Sequence, residues 1–221
     1  MDSIFSKFLF LLVFTSLISC DNDNEEVIIF QEEDGGFYNL QIGNKWQYQY
    51  FQIDKNGSIT DTLAFEEIEV IDKLMLANND EEYYRLKVST QSFQGNSCPP
   101  CEDEPTIFRN VRDSLGYLIN DDGFILYSSE NETPYLYAEN EWGDIFIQLQ
   151  ESDTIISVPS GNFSTKNNMW YAIRPTGDLY DGRSYDYYSE GVGQIKYSIG
   201  TTNNLRIVIE KVLTNYDFGE E

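Results

Sequence analysis

Apolar and polar residues alternate with a period of two along most of the chain, the spacing that turns one face of a β-strand to a core and the other to water. Trp46, Tyr48 and Tyr50 alternate with Gln47 and Gln49, and Tyr84, Leu86 and Val88 with Arg85, Lys87 and Ser89. Ile145, Ile147 and Leu149 repeat the pattern, as do Ile195, Tyr197 and Ile199, then Leu205, Ile207 and Ile209. A helical repeat is sustained nowhere. Asn56-Gly57, Asp122-Gly123 and Asp181-Gly182 fall between these runs, and each supplies the positive-φ positions of a two-residue hairpin turn. Successive strands are therefore expected to pair antiparallel. The alternation slips by one after Tyr50, to Phe51 and Ile53, and after Phe65, to Ile68 and Val70, which predicts bulges that curl the sheet. The expected fold is all-β, a curved antiparallel sheet or partial barrel, with a two-sheet sandwich as the alternative.

The first residues break this pattern. An apolar run of 11 residues from Phe8 to Ile18 follows Asp2 and Lys7; as a helix it falls well short of the roughly 30 Å of hydrocarbon in a bilayer, so it reads as an export segment that is removed. Leu17-Ile18-Ser19-Cys20 resembles the lipobox of type II signal peptides. That resemblance implies cleavage before Cys20 and lipidation of its thiol, which ties the chain to a membrane. Residues 21–36 then hold seven acids and no base, a self-repelling and extended segment. In some Gram-negative groups such a run resembles a signal for display at the cell surface, and a plain solvated tether is the alternative. The expected organisation is a signal peptide over 1–19, an acidic tether over 20–36 and one β domain over 37–221. Val27 to Phe30 interrupts the acids and is a candidate strand against that domain. The expected location is the outer membrane of a Gram-negative bacterium, facing the cell surface, with a periplasm-facing anchor as the alternative.

Charge narrows the partners. With 38 acids against 14 bases the net charge is −24, and the bases form no cluster of the kind that displaces counterions from phosphates, so nucleic acid is not an expected partner. Asn120-Asp121-Asp122-Gly123 reads as a turn, since no run has the ligand spacing of a calcium loop. No cofactor is expected.

Lipid on Cys20 leaves two thiols, Cys98 and Cys101, in an oxidising compartment, and a disulfide between them is expected. Closing so short a loop contributes roughly 2 kcal/mol or less, enough to trim a surface loop. A redox role would need a helix start in a βαβ unit, which the neighbouring residues do not suggest. Zinc would need two more ligands from a chain without histidine, and Glu102 stands where haem attachment would require histidine.

Two short segments bracket most of the mature chain: Tyr38-x-Leu40-x-x-Gly43-Asn44-x-Trp46-x-Tyr48 and Glu190-Gly191-Val192-Gly193-Gln194-Ile195-Lys196-Tyr197. They resemble a broad group of uncharacterised bacterial surface lipoproteins that open with a Gly-Asn-x-Trp strand and close with a Gly-Val-Gly-x-Val/Ile-Lys strand pair. The resemblance extends distantly to LolA-like carriers, whose curved sheets hold acyl chains, and so implies an apolar ligand in the concavity; fold alone does not carry function. Gly191 and Gly193 are expected to permit a bulge or close backbone packing.

The absence of histidine removes Ser-His-Asp, Cys-His and histidine-metal catalysis. Carboxylate chemistry remains open, but acids such as Glu66 and Glu67 read as a solvated surface pair, so a hydrolase is the weaker alternative and a binding protein without catalysis the main expectation. Aromatic residues give the candidate ligand site. Trp142 stands between Glu141 and Gly143 with Tyr135 and Tyr137 nearby, and Tyr180, Tyr185, Tyr187 and Tyr188 crowd a Gly/Asp-rich segment. Exposed rings beside carboxylates suit a glycan; the same rings also suit a core or cross-strand pairs. A protein partner at the surface is the third reading. Asp61-Thr62-Leu63, Asp113-Ser114-Leu115 and Asp153-Thr154-Ile155 further resemble bacterial O-glycosylation sites.

Overall fold

The computed structural model describes residues 27–28, 36–76, 81–93, 98, 101 and 105–219. The expected signal peptide, Cys20 and most of the acidic segment lie outside the described residues. The strands are β1 (Val27–Ile28), β2 (Lys45–Ile53), β3 (Ile59–Leu76), β4 (Glu81–Ser92), β5 (Thr106–Ser114), β6 (Tyr117–Asn120) and β7 (Ile125–Ser128), followed by β8 (Tyr135–Ala138), β9 (Asp144–Leu149), β10 (Thr154–Val158), β11 (Gly161–Ile173), β12 (Ser184–Ser189), β13 (Gly193–Gly200) and β14 (Ile207–Asp217). They form one sheet in the order β7-β6-β5-β4-β3-β2-β14-β13-β12-β11-β9-β8, with β1 and β10 both on β11. Pairing is antiparallel except for β1, which runs parallel to β11 at Asn162 and Phe163.

The sheet curls until it nearly closes, which settles the choice between barrel and sandwich. Its free strand β7 is held to the inner face of β11 by side chains in place of a ladder. Ser128 N–H donates to Asn168 Oδ1 at 2.9 Å and Asn168 Nδ2 donates to the Ser128 carbonyl at 2.7 Å. Tyr127 Oη donates to the Lys166 carbonyl at 2.7 Å, and Lys166 Nζ donates to that of Ser129 at 2.6 Å. An amide that satisfies both backbone groups of an edge residue blunts an edge that would otherwise pair elsewhere.

The two segments that bracket the chain meet at one end of this barrel. Trp46 Nε1 donates to the Val192 carbonyl at 2.5 Å, Tyr48 Oη to that of Gln194 at 3.0 Å, and Gly191 N–H to that of Phe37 at 3.1 Å. Gly193 sits at φ +99° beside the Trp46 ring. Trp46, Tyr48, Val70, Phe163, Val192, Ile195 and Leu213 make one buried cluster, and Tyr38, Leu40, Val111, Leu118 and Tyr127 a second that plugs this end. The Gly-Asn-x-Trp and Gly-Val-Gly elements are thus a packing device.

Several expectations are corrected. The bulge after Tyr50 is present, but that after Phe65 is not: the β2–β3 register runs unbroken from Glu69 to Ala64, and the irregularity of β3 lies at Val70/Asp72. Phe65 points outward, 44% exposed against Phe93, while Glu66 takes the inward position. Glu66 is therefore no solvated partner of Glu67. Asp181-Gly182 is not the β11–β12 turn, which forms at Gly177 (φ +90°), where Arg174 N–H and the Asp178 carbonyl close the hairpin. Leu205 lies before β14, 75% exposed. Gly57 and Gly123 do occupy positive-φ turns, and Asn120 Oδ1 accepts from Phe124 N–H at 2.7 Å. The bulge expected around Gly191–Gly193 is present as β13 enters the sheet: Tyr187 pairs with Lys196 and Tyr188 with Gln194, which leaves Ile195 as the extra residue.

Candidate functional site

Alternation places a polar row inside the barrel. Tyr50, Glu66 and Lys211 come from β2, β3 and β14: Lys211 Nζ lies 2.5 Å from Glu66 Oε1 and 4.1 Å from the Tyr48 ring centroid, and Tyr50 Oη donates to Glu66 Oε2 at 3.0 Å. Deeper in, Asp186 on β12 accepts from Gln194 Nε2 at 2.8 Å. Burial pushes its carboxyl up to about 7, against the opposing pull of the Gln194 bond and the Lys211 charge. Burial, with the Asp186 charge behind it, also raises the phenols of Tyr127, Tyr135, Tyr188 and Tyr197. This row binds strand to strand through charge and hydroxyl groups, and an acyl chain laid along it would strip those groups of partners.

The opposite end of the barrel from the Trp46–Val192 contact carries a cleft of about 120 Å³. Its walls come from the turn before β9 (Trp142) and β9 itself (Ile145), from β11 (Trp170, Tyr171, Ala172), from the approach to β12 (Gly182, Arg183) and its first residue Ser184, and from the segment Gly200–Thr202. Two glycines let these segments meet. A Cβ on Gly182 would lie 1.5 Å from the Thr201 carbonyl oxygen, and one on Gly200 would lie 1.9 Å from that of Arg183. At the rim Trp142 is 43% exposed and edge-on to Tyr180 at 5.7 Å, with Tyr180 Oη donating to the Trp142 carbonyl at 2.8 Å. Arg174 lies 4.1 Å over the Tyr180 ring. The Trp142 platform is therefore held before any ligand arrives. Two polar atoms of residues that line the cleft, Trp170 Nε1 and Thr201 Oγ1, are shut off from solvent with no hydrogen-bond partner among the described residues, and buried polar groups of this kind call for an explanation.

Of the five aromatic candidates only Trp142 lines this cleft. Tyr135 and Tyr137 face the interior, Tyr137 packing edge-on to Trp170 at 4.6 Å from behind, and Tyr185 and Tyr187 stack on each other at 6.4 Å on the opposite face of β12 from Asp186. Trp170, Tyr171, Arg183 and Thr201 were not singled out from the sequence; the only local hint was Asp181-Gly182, which reads as a turn. Cys98 and Cys101 are joined as expected, with Cα atoms 5.3 Å apart, and pack near Tyr50, Leu63, Ala64 and Ile209. Among the described residues no three His, Cys, Asp or Glu side chains converge as metal ligands. Of the three Asp-Ser/Thr-aliphatic segments, Thr154 is exposed at the start of β10, Ser114 precedes the 90% exposed Leu115 at the β5–β6 turn, and Thr62 accepts a hydrogen bond from Gln49.

No model of a protein family matches the chain, and no curated protein matches it. Two solved structures are similar in fold. One is a Bacteroides fragilis protein inferred to be exported, with a YmcC-like fold: TM-score 0.54 and 10% identity, covering 83% of this chain and 99% of that one. The other is a Parabacteroides distasonis protein inferred to be a lipoprotein: TM-score 0.51 and 11% identity, covering 84% of this chain and 100% of that one. At such identity the likeness concerns the fold alone.

Proposed function

We propose that this chain is a lipid-anchored, extracytoplasmic binding module of a Gram-negative outer membrane, and that it takes a sugar residue of a glycan in the cleft beneath Trp142. The observation that carries the reading is a pre-oriented, exposed indole over a small cleft two of whose lining residues bury a polar atom without a partner among the described residues. A pyranose offers what such a site lacks, an apolar ring face for the indole and hydroxyls for the orphaned groups. The Leu17–Cys20 lipobox supports the anchor at Cys20, and the exported and lipoprotein descriptions of the two fold neighbours agree with it. The geometry of β11 suits an anchored receptor: β1, the first strand after the anchor, pairs at Asn162 and Phe163, whereas the cleft lies at Trp170–Ala172, roughly 25 Å further along the strand at ~3.3 Å per residue. β1 thus lies towards the end away from the cleft, and 37–221 acts as one ligand-presenting domain.

An apolar ligand inside the barrel fits less well, because the inward positions carry Asp186, the Glu66–Lys211 pair and several tyrosines. In electrophoresis through polysaccharide gels, the chain without its first 20 residues is expected to be retarded. Trp142→Ala should weaken that retardation about tenfold, equivalent to ~1.4 kcal/mol, with the unfolding midpoint little changed, as for an exposed substitution. Free migration through every polysaccharide tried would overturn the sugar reading.

A further inference from the structure

The polarity of the cleft identifies the kind of sugar. Its lining contains no carboxylate and no side-chain amide, in a chain with 38 acids. Indole Nε1 and guanidinium are donors only, so Trp170 and Arg183 can do nothing in this cleft except donate. Arg183 spends one nitrogen, Nη1, on the carbonyls of Tyr180 and Gly182. Those bonds fix the guanidinium at the wall, and a planar fork of five N–H donors has others to offer. The hydroxyls of Tyr171, Ser184, Thr201 and Thr202 complete the polar lining. Ser184 Oγ already accepts from Gly200 N–H at 3.0 Å, so its hydrogen is what it has left to give.

A neutral sugar presents hydroxyls that must donate as well as accept. A lining whose side-chain acceptors are hydroxyls alone, set beside two side chains that only donate, is biased towards ligand atoms that accept. An anionic substituent accepts and never donates, and charge-assisted bonds of this kind are about twice as strong as neutral ones. The acids that stand close in sequence, Glu141, Asp144, Asp178 and Asp181, are not part of the lining.

We propose, resting on the sugar-binding reading above, that the cleft selects an anionic sugar residue, a uronic acid or a sulfated ring, whose charged group is received by Trp170 Nε1, Arg183 and the Thr201 hydroxyl while its ring lies against Trp142. Ring stacking supplies affinity for any pyranose and the donor set supplies the selection. Trp170 and Arg183 are thus specificity-determining residues.

The test uses the mature chain with Cys20→Ala, titrated calorimetrically with trigalacturonate, its methyl ester and a sulfated oligosaccharide of similar length. The acid or the sulfate should bind at least tenfold tighter than the ester, and the stronger of the two anions names the substituent. Trp170→Phe keeps the ring and deletes the donor; it should lower affinity for the anionic ligand about threefold to tenfold and leave the ester unchanged. Arg183→Gln should erase the difference between anion and ester. Should that variant fail to fold, the comparison of ligands on the native chain and on Trp170→Phe still decides. Equal binding of acid, sulfate and ester would overturn the selection for anions while leaving the sugar site standing. Binding of none of them, together with free migration in every polysaccharide gel, would remove both.

Discussion

Lys211 and Glu66 share an ion pair with side chains only 9% and 5% exposed. Desolvation makes such a pair a doubtful source of net stability, yet removing one partner strands the other's charge. Lys211→Met is expected to cost about 3–5 kcal/mol in urea unfolding, and Glu66→Gln with Lys211→Met much less than the sum of the single changes. Additive single and double variants would show that the two charges are solvated separately. Asp186 behaves differently, because its folded pKa is raised from 3.8 to about 7. Its contribution to stability is complete below about pH 4 and is lost as pH rises through 7. Three units correspond to about 4 kcal/mol at 1.36 kcal/mol each. Asp186→Asn should therefore lie near the native chain at pH 4.5 and be more stable than it by up to that amount at pH 8. A difference between the two chains that does not vary with pH would mean that Asp186 ionises as in an unfolded chain.

At the scale of elements, close approach of backbones shapes the cleft more than any side chain does. Gly182→Ala sets a Cβ 1.5 Å from the backbone of Thr201, so the start of β12 must move away from the Gly200–Thr202 segment. The expected cost is about 2–3 kcal/mol, in the range of strong packing defects, together with loss of glycan binding. Gly177→Ala meets no atom within 4 Å but sits at φ +90°; its cost should be only about 1–2 kcal/mol from the left-handed backbone, with binding intact. Comparable losses of binding in both variants would show that the β12 contact does not form the cleft. These glycines also explain what the sequence revealed. Alternation exposed most strands, and Asn56-Gly57 and Asp122-Gly123 exposed their hairpins, because period and turn chemistry are local. β3 misled because Phe65 is apolar and outward whereas Glu66 is charged and inward, a reversal that Lys211, 145 positions away, and the Tyr50 hydroxyl make tolerable. Trp142 was legible as a ring in a polar stretch. Trp170, Arg183 and Thr201 were not, since three strands and two close glycine contacts bring them together and none leaves a motif.

The whole molecule combines a nearly closed barrel with a net charge of −24. Lys45–Glu69, Lys73–Glu82, Arg112–Glu81 and Lys196–Glu210 are ion pairs at partly exposed positions, each worth about 0–1 kcal/mol. Against these few attractions stands an excess of acids compressed onto one surface, whose mutual repulsion folding increases because the unfolded chain is larger. Salt weakens both terms, and which term dominates fixes the sign of the response. With the Debye length falling from ~30 Å at 0.01 M to ~8 Å at 0.15 M, repulsion among many distant charges should be screened more than contacts near 3 Å. Raising sodium chloride over that range is therefore expected to move the urea midpoint upward, with the slope of the transition unchanged. A midpoint that falls with salt would mean that the ion pairs outweigh the excess charge, and that the acids are spread widely enough to leave the fold indifferent to them.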